Sequence, residues 1–123
     1  MFTVEYDRFA NILTLRVEGF WKPRDVEAFA KEVSSKALAA KAILADFNVC
    51  VESFNFPVQG IEVADLLTYI MHGGMGMTTG RAAVVVGSQL NRAQAERTLV
   101  HPRVRVFMNL DRAREWLAAP LAS

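Results

Sequence analysis

The sequence predicts an α/β fold, with a five-stranded mixed sheet, an N-terminal β-hairpin and four helices in one domain over residues 1–123. Three observations support this class. Two short alternating segments at the N-terminus are typical of a hairpin. The segment 81–117 then runs strand, turn, helix, strand, cap and helix without interruption. A chain of 123 residues also suits one domain with its own core.

The hairpin is predicted from alternation. Residues 3–6 and 12–18 alternate with a period of two, and residues 7–11 supply the turn. A first helix is predicted over residues 23–38, because apolar residues recur there at helical spacing. Pro23 suits the first helical position, where its missing N–H is not needed.

The middle of the chain supplies one strand and one helix. Residues 42–46 are short and apolar and are predicted to form the third strand. A loop over 47–59 follows, which is long for a compact domain. Residues 60–72 are predicted to form a helix that is apolar around most of its circumference, and the glycine-rich segment 73–80 returns the chain to the sheet.

The remaining elements have clear boundaries. Residues 81–88 are an apolar run that predicts the fourth strand, and 89–100 predict a helix that ends before a proline. Residues 103–107 alternate, as expected of the fifth strand. Asn109 is predicted to cap a last helix over 110–117.

The strand patterns predict the order of the sheet. The third and fourth predicted strands are apolar on both faces, which is typical of buried parallel strands. The hairpin strands and the fifth strand alternate, which is typical of strands with one open face. The order one to five, with only the first strand antiparallel, satisfies both conditions.

Composition excludes several classes of protein. The 14 basic and 13 acidic residues give a net charge of +1, so no nucleic-acid partner is predicted. A single cysteine cannot form an internal disulfide. No signal peptide and no transmembrane segment are recognised, and a cytoplasmic location is the expectation.

The element order resembles that of the STAS domains, the fold of the anti-sigma-factor antagonists. The chain is most similar to the SpoIIAA-like (STAS/SEC14-like) family of small bacterial proteins. This resemblance rests on Ile12-Leu-Thr-Leu-Arg-Val-Glu-Gly19, Ala42-Ile-Leu-Ala-Asp46, Arg81-Ala-Ala-Val-Val-Val86 and Val104-Arg-Val-Phe107 followed by Ala113-Arg-Glu-Trp-Leu117. It covers nearly the whole chain and implies a STAS-like fold more strongly than an activity.

One departure from that family concerns regulation. The antagonists carry a phosphorylatable serine in an Asp-Ser-Ser-Gly-like stretch after the third strand. Here Phe47-Asn-Val-Cys-Val-Glu-Ser53 occupies that place, and Ser53 lacks the motif. No regulatory phosphorylation is therefore predicted.

The glycine-rich and helical candidates have ordinary structural interpretations. Gly74 and Gly76 follow a helix and enter a strand, which is the reverse of a phosphate-binding loop, so they indicate a helix end. Asp65 and His72 share a helix face but lie two turns apart, about 10 Å, which is too far for a direct hydrogen bond. That face is interpreted as solvated.

Arg97 falls among Leu90, Ala93 and Val100, the presumed core residues of the third helix. Its side chain is expected to reach the surface along the helix edge, and the alternative is that it faces a ligand or partner.

No metal or cofactor site is predicted. The two histidines and the cysteine are isolated and do not make a zinc spacing. His101, just before a proline, indicates a helix end. Cys50 is interpreted as a small apolar residue.

The aromatic loops are the leading candidate for a functional site. Connections that follow parallel strands gather at one edge of the sheet, where open α/β sheets usually bind ligands. Apolar side chains in exposed loops suggest a binding surface. The alternative is that they fold back onto the core. The candidate ligand- or partner-binding residues are Phe20, Trp21, Phe54, Phe56, Ser88 and Asn91.

Two function classes stay open. The first is a non-enzymatic binding module whose apolar loop end takes a partner protein or a small hydrophobic, lipid-like ligand. The second is a small enzyme with a dispersed acid–base site that uses Asp46, Ser88 or His72. A homodimer is compatible with the first class. Replacing Trp21 and Phe56 by alanine is expected to weaken association with little effect on thermal stability.

Overall fold

The computed structural model describes residues 1–120, and within them it contains five strands and four helices. The predicted α/β class is confirmed, as is the element order from hairpin to helix. In chain order the elements are β1 (Phe2–Asp7), β2 (Ile12–Glu18), α1 (Pro23–Ile43), β3 (Asn48–Asn55), α2 (Ile61–Met75), β4 (Ala82–Val86), α3 (Gln89–Thr98), β5 (Val104–Phe107) and α4 (Leu110–Ala118).

The strands form one sheet in the order β1-β2-β3-β4-β5, as predicted. β1 pairs antiparallel with β2, from Phe2 opposite Val17 to Asp7 opposite Ile12. The other three pairs are parallel, so β2 to β5 all end at the same side of the sheet, which we call the carboxyl edge. The connections that follow these strands therefore meet there.

The third strand lies later in the chain than predicted. The strand predicted over residues 42–46 is wrong, because α1 continues through Ile43, five residues beyond its predicted end. The predicted loop over 47–59 is also wrong for most of its length, since β3 occupies Asn48–Asn55.

The composition around this boundary explains the shift. Four alanines lie between positions 37 and 42, and alanine has the highest helix propensity of all residues. Ala37 and Ala40 are buried, so packing also favours the longer helix. β3 carries Asn48, Glu52 and Ser53 among its apolar residues, and this mixture hid its strand character.

The other boundaries differ by a few residues. α2 extends to Met75, so Gly73 and Gly74 form part of its last turns. α3 ends at Thr98, two residues earlier than predicted. The predicted cap of α4 is confirmed, because the Asn109 side chain accepts a hydrogen bond from the Arg112 amide at 3.0 Å.

The helices cover the two faces of the sheet unequally. On β4, Val84 and Val86 pack with Ala95 of α3, whereas Ala83 and Val85 pack with α4. α1 and α2 share a core cluster with β1 and β2. Cavity-lining residues from all of α1, α2 and α3 meet Val84 and Val86 on one face. Three helices therefore cover one face and α4 covers the other.

Arg103 attaches the end of α2 to the start of β5. Its guanidinium donates hydrogen bonds to the carbonyl oxygens of Met75 at 2.8 Å and Thr78 at 2.9 Å, and also to that of Gly80. Cationic donors suit the free carbonyls at a helix C-terminus. The C-terminal end of α2 is therefore held firmly against the sheet. No helix in residues 1–120 is both long enough and apolar enough to cross a bilayer.

Candidate functional site

A cavity of about 160 Å³ lies between the sheet and helices α1, α2 and α3. None of the residues that line it in the described chain carries a charge, and most are aliphatic. Representative lining residues are Leu15, Val51 and Val84 from the sheet and Leu67, Ile70 and Leu99 from the helical layer. The site is thus an apolar space between the sheet and the three helices.

Small side chains and the position of α2 explain why the space is unfilled. Lining residues contributed by the sheet and each of the three helices include Ala37, Ala64, Ala82 and Ala95. α2 makes its main contacts with α1 and α3 rather than with the strands. Because protein interiors are normally packed to crystal density, a space of this size is a feature to be explained.

Polar side chains line the cavity only where it approaches the carboxyl edge and α3. They are Ser53, Gln59, Asn91, Gln94 and Thr98. Each already has a protein partner: the Ser53 hydroxyl donates to the Val85 carbonyl at 2.6 Å, and the Thr98 hydroxyl donates to the Gln94 carbonyl at 2.8 Å. In residues 1–120 no buried side-chain nitrogen or oxygen lacks a hydrogen-bond partner. The cavity therefore has no unpaired buried polar side chain that calls for a charged or strongly polar ligand.

Gln59 is the centre of this polar group. Only 4 % of the residue is exposed. Its side-chain oxygen accepts from the Trp21 amide at 2.8 Å, and its side-chain nitrogen donates to the carbonyls of Gly19 at 3.1 Å and Pro57 at 2.7 Å. Its backbone pairs with Gln94 in both directions: Gln59 N–H donates to Gln94 Oε1 at 3.0 Å, and Gln94 Nε2 donates to the Gln59 carbonyl at 2.9 Å.

The aromatic candidates do not form one exposed surface. Trp21 is only 2 % exposed and packs edge-on against Phe2, Phe29 and Phe56, with ring centroids 5.0–6.0 Å apart. Its indole N–H donates to the Glu18 carbonyl at 2.9 Å. Trp21 therefore folds back onto the core, the alternative that the sequence left open, and its replacement by alanine is now expected to reduce stability.

The remaining candidates separate into inner and outer positions. Phe56 is partly buried and lines the cavity, as does Asn91, whose side chain donates to the Phe56 carbonyl at 2.8 Å. Phe20 and Phe54 are exposed and do not line the cavity. Ser88 caps α3 by accepting from the Asn91 amide at 3.2 Å.

The inward face of α3 is the opposite of the expected one. Leu90 and Val100, taken from the sequence as core residues, are 75 % and 65 % exposed. Arg97 lies on this same exposed face, so the expected reach of its side chain out of a core stripe does not arise. The residues that face the cavity are Asn91, Gln94, Ala95 and Thr98. Their spacing of three, four and seven is a helical face that the sequence contains, but its polarity concealed it.

The isolated titratable residues do not assemble into a reactive site. Burial, and then the neighbouring Glu52 carboxylate, raise the pKa of the Cys50 thiol to about 11, so it is protonated at neutral pH. A protonated thiol is a poor nucleophile. In residues 1–120 no three histidine, cysteine or acidic side chains form a group that could hold a metal ion.

His72 and His101 form a pair at the end of α2, with ring centroids 6.1 Å apart. Burial, then the charges of Arg103 and His72, lower the pKa of His101. Its Nδ1 accepts from the Arg103 amide at 3.0 Å, so it orders the turn before β5.

The residues of the alternative acid–base site are not brought together. Ser88 follows β4 at the carboxyl edge, whereas Asp46 precedes β3 at the other edge. Asp46 accepts a hydrogen bond from the Asn11 side chain at 3.1 Å. Ser53, where no phosphorylation was predicted, is 4 % exposed within β3. No protein-family model and no curated protein matches this chain, so function must be inferred from the site itself.

Proposed function

We propose that this protein is a non-enzymatic binding module that takes a small, uncharged, apolar molecule into the cavity beneath α1, α2 and α3. The observation that carries this proposal is an interior space of about 160 Å³ without a charged lining residue. Ligand pockets are usually largely preformed, concave and mostly apolar. Apolar cavities of this kind stay dry when empty, so an apolar molecule has no ordered water to displace.

The volume limits the size of the ligand. A cavity of about 150 Å³ lined by aliphatic and aromatic side chains holds a benzene molecule. The present space is of the same size, so it suits one ring or a comparably short alkyl chain. The tail of an ordinary lipid is longer than this. Of the expected ligand classes, a small hydrophobic molecule therefore fits better than a lipid-like one.

The paired polar groups limit the chemistry of the ligand. A buried charge needs a partner, and burying one without a partner is strongly unfavourable. The cavity contains no such partner, and its amides and hydroxyls are bonded to the protein. A neutral ligand is accordingly favoured over a carboxylate, amine or phosphate.

We also propose a STAS-like, SpoIIAA-like fold for this chain. Its support is the element order and the sheet order one to five with an antiparallel first strand. A partner protein is a second candidate occupant of the carboxyl edge. The observation in its favour is that Phe20, Phe54, Val58 and Leu90, all in or beside connections at that edge, are 42–75 % exposed.

Cavity-filling variants test the proposal. Ala95 lines the cavity from α3, whereas Ala93 on the same helix is exposed. Wild type should bind benzene, with chemical-shift changes confined to the lining residues and a raised Tm, because a ligand that binds only the folded state stabilises it. Ala95→Leu should abolish these effects, and the matched control Ala93→Leu should keep them.

Two results would contradict the proposal. The first is the absence of benzene binding to wild type at millimolar concentration by chemical-shift titration. The second is equal binding to wild type and Ala95→Leu, which would place the ligand elsewhere. Native mass spectrometry of gently purified protein would show any retained natural ligand and the oligomeric state together.

A further inference from the structure

The segment 56–60, between β3 and α2, forms the wall of the cavity at the carboxyl edge. Phe56, Pro57 and Gln59 line the cavity, while Val58 and Gly60 are exposed to solvent. The segment is thus one residue layer between the apolar interior and water. It also leads directly into α2, the helix that covers the cavity.

This wall is held in place by side chains. Residues 57–59 make no backbone–backbone hydrogen bond in the described chain. The Gln94 side chain accepts a hydrogen bond from the Gln59 amide and donates one to the Gln59 carbonyl. The Asn91 side chain donates to the Phe56 carbonyl. We call these three contacts to α3 the amide clamp.

The other walls are held differently. The strands are joined by continuous backbone ladders, which cannot open without breaking the sheet. The middle of α2 is attached to α3 through the Thr68 hydroxyl, which donates to the Thr98 carbonyl at 2.8 Å. The end of α2 is held by Arg103. The start of α2 follows the segment 56–60 and has no side-chain cap.

We propose that the segment 56–60 is the gate of the cavity, and that the amide clamp keeps it closed. This inference rests on the proposed function. It adds where the ligand enters and leaves the cavity and which contacts control the rate of that exchange. When the gate opens, water can replace the clamp residues as partners of Phe56 and Gln59, and can also replace the Trp21 and Gly19 partners of the Gln59 side chain. The polar groups of the loop therefore remain satisfied. The apolar ligand then enters beside α3 without disturbance of the sheet.

The gate makes a kinetic prediction. Weakening the clamp raises the fraction of time spent open, which speeds entry and exit alike and leaves the affinity nearly unchanged. The net contribution of each neutral hydrogen bond in the clamp corresponds to roughly a threefold to tenfold change in an equilibrium constant. Loss of both Gln94 contacts should therefore raise the exchange rates at least tenfold.

Gln94→Met tests this prediction because it keeps the length of the side chain and removes both contacts to Gln59. Gln89→Met is the matched control, since it makes the same substitution on α3 at an exposed position that does not line the cavity. The probe is benzene, with its Kd measured by chemical-shift titration and its dissociation rate by NMR exchange spectroscopy. Hydrogen exchange of the Trp21 amide, which donates to the Gln59 side chain, reports opening without any ligand.

The expected result is faster benzene association and dissociation in Gln94→Met, a Kd within about threefold of wild type, and faster exchange of the Trp21 amide. Gln89→Met should match wild type in all three. If Gln94→Met does not fold, Asn91→Ala, which removes only the Phe56 contact, should show a smaller acceleration of the same kind.

The two proposals can fail separately. If benzene binds but Gln94→Met leaves its exchange rates unchanged, the gate is refuted while the binding function stands. If benzene binds neither to wild type nor to Gln94→Met, both the binding function and the gate are refuted.

Discussion

Trp21→Ala is the substitution for which sequence and structure give opposite expectations. In the sequence Trp21 lies beside Phe20 in the connection after the second strand, which indicated a surface residue. In the structure it is 2 % exposed and contacts three other aromatic rings. Its backbone amide also holds the buried side chain of Gln59.

The cost of this substitution follows from those contacts. Replacing a buried tryptophan by alanine typically destabilises a domain by about 3–5 kcal/mol, because transfer energy is lost and a cavity remains. A domain of this size has a total stability of about 5–15 kcal/mol. Trp21→Ala should therefore lose a large part of the free energy of unfolding while still folding at low temperature.

Urea denaturation followed by circular dichroism measures this loss, with Phe20→Ala as the matched control. Phe20 is the adjacent aromatic residue and is 68 % exposed, so its removal should change stability by no more than about 0.5 kcal/mol. A loss below about 1 kcal/mol for Trp21→Ala, or equal losses for both variants, would refute the assignment of Trp21 to the core.

Three further outcomes are expected. Gly87→Ala should strongly destabilise the protein, because a Cβ there would overlap the Phe54 carbonyl oxygen. Gly73→Ala, where a Cβ on α2 would meet open space, should be neutral or stabilising. Equal Tm values for the two variants would contradict this. Arg103→Ala should lower the Tm by several degrees, because the hydrogen bonds of Arg103 to backbone carbonyls are lost. Arg105 is exposed, so Arg105→Ala should leave the Tm unchanged. Thermal melts of both variants test this difference. Cys50 should resist thiol reagents at pH 8. The pKa of Cys50 is about 11 in the folded protein against an ordinary value of 9.0, so the unfolded chain loses the proton first. Wild type should therefore lose on the order of 2–3 kcal/mol of stability between pH 9 and 11, and Cys50→Ala should not. Urea titrations in which both proteins lose stability equally with rising pH would exclude this.

Most of the architecture could be predicted from local patterns. The hairpin was recoverable because β1 and β2 alternate and a turn separates them, and Asn11 in that turn has a φ of 55°, which asparagine tolerates. β4 is apolar at all five positions and is buried at each, so its central place followed from composition. The cap of α4 followed from Asn109.

The third strand could not be predicted, because tertiary contacts decide it. Asn48 reads as a turn residue, yet its side chain accepts from the Arg81 amide at 2.9 Å and donates to the Leu117 carbonyl at 3.1 Å. Both partners are distant in sequence. Ser53 likewise satisfies its hydroxyl on the neighbouring strand. Such residues favour a strand only through contacts with the neighbouring parts of the folded chain.

The site was hidden for a related reason. The inward face of α3 carries Asn91, Gln94 and Thr98, and a polar face is ordinarily assigned to solvent. The apolar residues Leu90 and Val100 were therefore assigned to the core. Only the contacts of Gln94 with the loop after β3 show that the polar face is the inner one.

The cavity also has a consequence for the compressibility of the protein. A space of about 160 Å³ per molecule corresponds to about 100 mL/mol, the upper end of the volume decreases found on unfolding. Water fills this space when the chain unfolds. Because the volume decrease scales with the void space without equalling it, hydrostatic pressure should favour the unfolded state by at most about 2 kcal/mol per kilobar. Benzene in the cavity, or leucine at position 95, should make the protein measurably more resistant to pressure in high-pressure fluorescence experiments. An unchanged volume of unfolding would mean that the space is already filled in solution.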